Sequence, residues 1–318
     1  MRIGILVDST CDLPEADFAQ HNIRVMPISI RLGDELLVDE RDAAATQHFY
    51  AEQIDTKGVD AESIPYTSEQ VQAVFLERLV IDYDLVFCIT VSSRHSQIFD
   101  NATRASFGIL KQYRAVRAAA DVQGPFSMRV IDSKTIFAGT AVLVAEVAAL
   151  IEAGVPANEI RLKIDEMIPN VCGYMVPANL GYVRDRGFRK NDRKGLGDTM
   201  RGMALTLGSA LSMHPVISIY RGEENPANVN RSYEKSVARM LGHVTERITA
   251  GELMSSSVCL SYAGDITRVP AMPGYDELAK AARERNIQLK LATMSATGAV
   301  NVGAGCLFIA YAGKHVKM

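Results

Sequence analysis

The chain has 318 residues, 48% of them hydrophobic and 22% charged, and its formal net charge is −3. This length predicts about two domains, and the small net charge excludes bulk attraction to nucleic acid or to an acidic membrane. Five widely separated cysteines without a CxxC pair favour a cytoplasmic protein with no disulfide framework and no zinc site.

The N-terminal half predicts strands that alternate with helices. Its opening residues indicate a strand rather than a signal peptide, because the apolar run is short and meets Asp8 at once. Predicted strands cover residues 3–7, 23–32, 85–91 and 126–131, and predicted helices cover residues 13–20, 46–53, 69–79, about 102–110, and 138–153. Pro27 places the second strand near a sheet edge. This order is typical of a parallel α/β sheet with right-handed crossovers.

The alternation is less regular in the C-terminal half. Predicted helices cover residues 158–168, 232–249 and 275–286, and predicted strands cover residues 172–177, 211–220, 257–262, 289–294 and 306–312. We expect an antiparallel sheet flanked by helices. No run of about eighteen apolar residues occurs in the sequence, so no membrane span is expected.

Hydroxyl residues cluster where predicted strands end. The segment Ser92-Ser93-Arg94-His95-Ser96 follows the buried strand at 85–91, and ligands of open α/β sheets bind outside the carboxyl ends of strands. These hydroxyls could donate to a carboxylate or a phosphate, or they could form a serine-rich turn that caps the next helix. Similar groups follow other segments, namely Asp8-Ser9-Thr10, Thr67-Ser68 and Asp132-Ser133. Together they would form an anion-accepting rim.

Several familiar kinds of site find no support in the sequence. No GxGxxG follows a strand and no GxxxxGK[ST] occurs, so nucleotide binding by glycine-rich loops is unsupported. The six histidines lack metal-ligand spacing. His95 stands beside Ser93 and Ser96, but no GxSxG elbow surrounds either serine, which argues against a serine hydrolase.

The segment from residue 181 to residue 197 is rich in charge and predicts an exposed, net positive loop. Its basic residues are Arg184, Arg186, Arg189, Lys190, Arg193 and Lys194. It could be a solvated connector or a docking surface for an acidic partner.

The chain resembles the DegV family over nearly its full length. The motifs that carry the resemblance are ILVDSTCDLP (5–14), VMPISI (25–30), IPYTSEQ (64–70), ITVSSRHS (89–96), VIDSK (130–134), ALSMHPVI (210–217) and NVGAG (301–305). The resemblance implies an EDD-type fold, with a parallel α/β domain at 1–165 and an α+β domain at 166–318. It also implies that a long-chain fatty acid lies in a tunnel between the domains, with no other cofactor and no catalytic residue.

The same resemblance implies which residues hold the carboxylate. Its hydroxyl partners would be Thr67 and Ser93, with Ser68, Ser92 and Ser96 nearby. Asn301 stands where relatives that serve the bacterial fatty acid kinase carry a histidine, and an asparagine donates hydrogen bonds but cannot carry charge. Candidates for the tunnel wall are Ile136, Phe137, Met175, Met203, Leu211 and Met213.

Three departures from the family pattern bear on whether the chain has a fatty acid kinase as its partner. Residues 95–99 lack the usual glycine after the serines, Tyr66 is bulkier than the usual residue before Thr67, and extra basic residues stand around 186–199. That last region faces the kinase in relatives, so lipid binding is better supported than participation in acyl-phosphate formation.

Two alternatives remain open from the sequence. One is a phosphotransferase-like enzyme, because the EDD fold is shared with dihydroxyacetone-kinase-type domains, and its candidate groups are Asp8, Asp132 and Asn301. The other is a regulatory adaptor that uses the basic segment 184–194.

Overall fold

The computed structural model describes residues 1–52, 61–187 and 213–318. In chain order the first part contains β1 (Ile3–Asp8), α1 (Glu15–Gln20), β2 (Arg24–Met26), β3 (Ile28–Leu32), β4 (Glu35–Asp39), α2 (Ala43–Glu52), β5 (Glu62–Pro65), α3 (Ser68–Val74), β6 (Leu85–Thr90), α4 (Ile98–Gly108), α5 (Tyr113–Ala119), β7 (Ser127–Asp132), α6 (Ala138–Glu152) and α7 (Ala157–Met167). Helix α3 continues through a π-helical segment, Phe75–Leu79, and a last short turn, Val80–Asp82.

The second part contains β8 (Val171–Val176), α8 (Leu180–Gly187), β9 (His214–Tyr220), β10 (Glu223–Asn230), α9 (Tyr233–Thr249), β11 (Ser257–Tyr262), α10 (Tyr275–Glu284), β12 (Gln288–Thr293), α11 (Ala296–Val302) and β13 (Leu307–Ala312). The predicted exposed loop at 181–197 begins as helix α8. Residues 188–197 lie outside the described residues, as does the segment 189–194 of the basic cluster.

The N-terminal sheet is parallel, as predicted. Its strand order is β2-β1-β6-β7, and every pairing in it is parallel. Strand β6 is buried along its whole length, which explains its unbroken apolar sequence. The carboxyl ends of these strands therefore lie along one edge of the sheet.

The predicted single strand at 23–32 is wrong. Residues 24–26 form β2 of the parallel sheet, whereas residues 28–32 form β3, the centre of a separate antiparallel sheet with the order β4-β3-β5. Pro27 separates the two strands, because it has no N–H to donate to a continuous ladder.

The C-terminal domain carries a six-stranded sheet with the order β10-β9-β8-β13-β11-β12. It is mixed rather than antiparallel as expected, since β11 and β12 run parallel and the other neighbours run antiparallel. The fold class is thus confirmed as a parallel α/β domain followed by a domain with helices on a mixed sheet.

Helix α6 lies between the two large sheets. It packs against β8, β11 and β13 on one side and against β1 and β6 on the other. Its residues from Ala138 to Ala148 are all buried, so the helix is buried on every face instead of presenting one face to solvent. Among the described residues, no helix is both long enough and apolar enough to span a bilayer.

Candidate functional site

The serine loop, defined here as Ser92–Ser96, is held at the end of β6 by its own backbone. The N–H of Ser92 donates to the carbonyl of Thr135 over 2.9 Å, and Ser92 O accepts from the N–H groups of His95 and Ser96. Ser92 Oγ accepts from Arg94 N over 3.3 Å, and Ser96 Oγ accepts from Ile98 N over 3.2 Å. Ser92 and Ser96 therefore act as acceptors in these bonds, and a hydroxyl that accepts can still donate its proton to a ligand.

Ser93 is bonded differently, because its hydroxyl faces a carboxylate. Ser93 Oγ donates to Asp132 Oδ2 over 2.6 Å, and Ser93 N donates to Asp132 Oδ1 over 3.1 Å. Asp132 Oδ1 also accepts from Lys134 N over 3.0 Å. This pairing joins the end of β6 to the end of β7. The Ser93 hydroxyl therefore donates its hydrogen bond to a carboxylate of the protein itself.

Thr67 is the N-cap of α3. Its Oγ1 accepts from Gln70 N over 3.3 Å while Gln70 Oε1 accepts from Thr67 N over 2.9 Å. This is a complete capping box in which glutamine takes the usual place of glutamate. The backbone N–H of Glu69, and then the Thr67 hydroxyl, lower the pKa of the Glu69 carboxyl. Like Ser93, Thr67 already faces a carboxylate; Ser68 begins the helix and is half-buried.

Asn301 lies on α11, a helix that the glycine-rich sequence did not reveal. Its Nδ2 donates to Thr297 O over 2.7 Å, one turn earlier in the same helix. Helix α11 packs against β5, the strand that leads into Thr67, and against β3 and α2. Helix α11 thus lies next to the strand that carries Thr67, although Asn301 and Thr67 are 234 positions apart in sequence (301 − 67).

The serine loop and α11 both contact the start of α6. The serine loop bonds to Thr135, two residues before Phe137, and the Phe137 ring lies against α11, where a Cβ at Gly298 would come within 3.1 Å of Phe137 Cε1. Asn101 Nδ2 in α4 donates to Tyr66 O over 2.7 Å, which ties the Thr67 loop to the helix after the serine loop. The serine loop and α11 therefore both contact the start of α6, and the Thr67 loop is bonded to α4, the helix that follows the serine loop.

The apolar side chains around the start of α6 are closely packed. Ile136, Phe137 and Met175 are buried, and the Phe137 and Phe308 rings meet edge to face at 5.7 Å. Phe137 has a φ of +51°, a conformation that bulky residues rarely adopt and that occurs mainly at functional sites. Met213 is half-buried, and the other wall candidates, Met203 and Leu211, lie outside the described residues.

The groups at the other strand ends have structural roles. Asp8 accepts from Val91 N over 2.6 Å and from Thr10 N and Oγ1, and burial raises the pKa of its carboxyl. Ser9 Oγ accepts from Ile28 N and donates to Asp39 O, and Ser133 is buried. Of the segments in the predicted anion-accepting rim, the serine loop and the Thr67 loop therefore remain as candidate ligand contacts.

Two polar links across the domain junction were not anticipated. His95 Nε2 lies 2.6 Å from Glu224 Oε1 on β10, with both side chains largely buried, and Arg94 lies 3.5 Å from Glu223. No sequence signal indicates them, because both acids lie on β10, a strand that contains Pro226 and that the sequence did not predict.

A second link is the buried pair of Asp12 and Arg41. Arg41 donates to Asp12 Oδ1 over 3.0 Å and to Thr293 O over 3.2 Å, and Asp12 Oδ1 also accepts from Ser295 N. Burial raises the pKa of Asp12 to about 6, although Arg41 acts in the opposite direction. This network joins the N-terminal domain to the segment that begins α11.

The comparisons with known proteins agree with this architecture. A family model described as "Uncharacterised protein, DegV family" matches residues 2–314. A DegV domain-containing protein of Xanthomonas axonopodis pv. citri is 42% identical over 313 residues, 98% of each chain. A Thermotoga maritima protein named "Fatty acid-binding protein" is 26% identical over 259 residues, 79% of each chain. A crystal structure of a stearic acid-binding protein from Eubacterium ventriosum superimposes with a TM-score of 0.77 at 18% identity, covering 98% of each chain.

Proposed function

Because the chain belongs to the DegV family, we propose that it binds a long-chain fatty acid, or a similar lipid, in a tunnel between its two domains. Thr67, Ser68, Ser92, Ser93, Ser96 and Asn301 hold the carboxylate in this proposal. The observation that carries it is that the serine loop and α11 both contact the start of α6, while the Thr67 loop is bonded to α4 and the strand before it packs against α11. The names of the Thermotoga and Eubacterium relatives support the class of ligand.

Neutral hydroxyls suit a buried carboxylate. A carboxylate that leaves water must regain several hydrogen bonds, and hydrogen bonds to an ionised acceptor are the strong ones. Ser93 and Thr67 each lie beside an acid of the protein, Asp132 and Glu69. The proposal is therefore that their protons turn from these acids toward the ligand when it binds.

The apolar surroundings suit the acyl chain. Each buried CH₂ contributes about 0.8 kcal/mol, so a long chain supplies most of the affinity while the hydroxyls set its orientation. Phe137, Phe308 and Met175 lie directly behind the junction. We propose that the tail enters between the sheets along these side chains, with the flexible methionine adapting to it.

The binding test uses delipidated protein and palmitate. Native mass spectrometry of the bacterially expressed protein is expected to show bound lipid, and calorimetry is expected to show palmitate binding after its removal. The double variant Ser93→Ala, Thr67→Ala should bind palmitate about 10-fold to 100-fold more weakly, since each lost bond to a charged group costs roughly 1.5–3 kcal/mol before compensation by the remaining hydroxyls. Ser127→Ala, on the exposed part of β7, is the matched control. Absence of lipid together with no palmitate binding would sink the proposal.

We further propose that the protein presents its lipid to a fatty acid kinase partner and is not catalytic alone. The phosphotransferase alternative has less support, because its candidate Asp8 is buried and bonded to Val91 and Thr10. The test combines palmitate-loaded protein with the catalytic subunit of a bacterial fatty acid kinase and ATP. We expect acyl phosphate to form faster with Asn301→His than with the natural chain, because histidine can carry charge. If neither the natural chain nor the variant supports acyl phosphate formation, the proposal of a kinase partner is excluded, while the proposal of lipid binding stands.

A further inference from the structure

A pocket outside the lipid site lies where β7, α7 and the β9–β10 hairpin meet. Its volume is about 660 Å³, within the range of small-molecule sites. Its walls are apolar side chains of Phe99, Val130, Ile168 and Pro169. Three cations stand around it, Lys134, Arg161 and Arg221, against two carboxylates, Asp132 and Asp165. The side chains that line the pocket therefore carry a net charge of +1 (three minus two).

The two carboxylates already have partners. Asp132 accepts from Ser93 and from the backbone of Lys134, and Asp165 Oδ2 accepts from Arg161 Nε over 2.8 Å. The described bond of Arg221 also uses Nε, which donates to Pro169 O over 3.2 Å. Within the described residues, these bonds leave the terminal N–H groups of both arginines and the ammonium group of Lys134 for a ligand.

The backbone at two of the cations is a second, independent observation. Lys134 and Arg221 have φ values of +52° and +54°, in the left-handed region that residues other than glycine, asparagine and aspartate rarely adopt. Arg221 and Gly222 form the two-residue turn of the hairpin, and both have positive φ, as a type I′ turn requires. Asparagine is preferred at the first of these positions. Arginine has no such preference for the left-handed region, so the turn geometry does not account for the charge at this position.

We propose that this pocket binds a small phosphate-bearing ligand with an apolar portion. The net positive lining attracts an anionic group, and the planar fork of an arginine suits phosphate oxygens. The apolar walls accept the rest of the ligand. The site is distinct from the lipid site, and the two adjoin at Asp132, which lines the pocket and bonds to Ser93.

The experiment measures phenyl phosphate and inorganic phosphate binding to the full chain by calorimetry at constant ionic strength. Phenyl phosphate is expected to bind with a dissociation constant below 1 mM, more tightly than inorganic phosphate, whereas neutral phenol should not bind. Small ligands bind with a higher affinity per atom than drug-sized ones, so a preformed site can reach this value with a ligand of the size of phenyl phosphate.

The test variants are Arg221→Asn and Lys134→Asn, which place in each position a residue suited to its backbone. Each should weaken phenyl phosphate binding roughly 5-fold or more, with the melting temperature unchanged or raised. Palmitate binding should remain within about 2-fold. Arg283→Asn, on the exposed end of α10, removes the same charge elsewhere and is the control.

No phenyl phosphate binding by the natural chain at 10 mM, or equal weakening by the control variant, would overturn the proposal. The same holds if the double variant Lys134→Asn, Arg221→Asn binds as tightly as the natural chain. Loss of palmitate binding leaves this assay unaffected, so the two proposals fail independently.

Discussion

At the residue scale, the hydroxyls of the candidate lipid site differ in whether they accept or donate hydrogen bonds within the protein. Ser92 and Ser96 accept from backbone N–H groups of their own loop, whereas Ser93 donates to Asp132 over 2.6 Å. An anionic ligand at this loop must therefore compete with Asp132 for the Ser93 proton. The free energy of ligand binding includes the loss of that bond.

Replacing Asp132 by asparagine should tighten palmitate binding about 3-fold to 10-fold. Asparagine keeps an acceptor for the N–H groups of Ser93 and Lys134 but removes the charge that repels the ligand, and one such bond is worth roughly 0.5–1.5 kcal/mol. Calorimetry on delipidated protein at neutral pH measures the change. Asp165→Asn removes a carboxylate that does not contact the serine loop and should have no effect. Weaker binding by Asp132→Asn would contradict the argument.

Asp12 should make the stability of the protein depend on pH. Its pKa of about 6 lies above the unfolded value of 3.8, so the folded state holds the proton more tightly. The Asp12 contribution to stability is therefore gained as the pH falls from about 6 to about 4 and is lost as the pH rises again, with an upper limit of about 3 kcal/mol.

The measurement is urea unfolding of the natural chain and of Asp12→Asn between pH 4 and pH 7. The variant removes only the Asp12 carboxyl, so the difference between the two unfolding free energies reports the contribution of Asp12. We expect this difference to shift in favour of the natural chain as the pH falls. A shift in the opposite direction would show that the pairing with Arg41 outweighs burial.

At the element scale, α6 decides how the two sheets pack. The helix is buried from Ala138 to Ala148 and contacts strands of both sheets. Its capping at the N-terminus is also unusual, because Phe137 occupies the cap position with a positive φ and no side-chain cap. Packing, and not a side-chain cap, therefore stabilises this element.

Leu143→Ala should lower the free energy of unfolding by about 2–5 kcal/mol, because it leaves a cavity between two sheets that cannot both collapse onto it. Leu162→Ala in α7 is the matched control, since Leu162 is 69% exposed and its loss should change stability by less than about 0.5 kcal/mol. Chemical denaturation of both variants provides the comparison. Similar values for the two would show that α6 is loosely packed.

At the scale of the whole molecule, the two domains are joined by polar contacts as well as by the core. The Asp12–Arg41 network and the contact of His95 with Glu224 both cross the junction, close to the segments that carry the proposed lipid contacts. A ligand held at that junction would contact residues of both domains and should stabilise them together.

Palmitate at 100 times its dissociation constant should raise the free energy of unfolding by about 2.7 kcal/mol. For a chain of this length, an unfolding entropy of roughly 2.1 cal/mol/K per residue converts that value into a rise in melting temperature of about 4 °C. Differential scanning calorimetry of delipidated protein with and without palmitate measures it. The Ser93→Ala, Thr67→Ala variant at the same palmitate concentration should show a smaller rise, and an equal rise would argue against the hydroxyl contacts.

The sequence by itself determined the elements whose signals are local. The apolar run before Ser92 predicted β6, and the apolar run at 138–153 predicted α6; both are present because these patterns act within a few residues. The motifs of the resemblance also identified the family.

Only the tertiary structure decided what depends on contacts between distant residues. It divided the predicted strand at 23–32 between two sheets, revealed the β9–β10 hairpin and α11, and directed the Ser93 hydroxyl at Asp132. Such contacts depend on how the sheets and α6 pack against one another, so no pattern within a short stretch of sequence predicts them. The same reason explains why the cations of the second pocket, far apart in the chain, appear together only in the folded molecule.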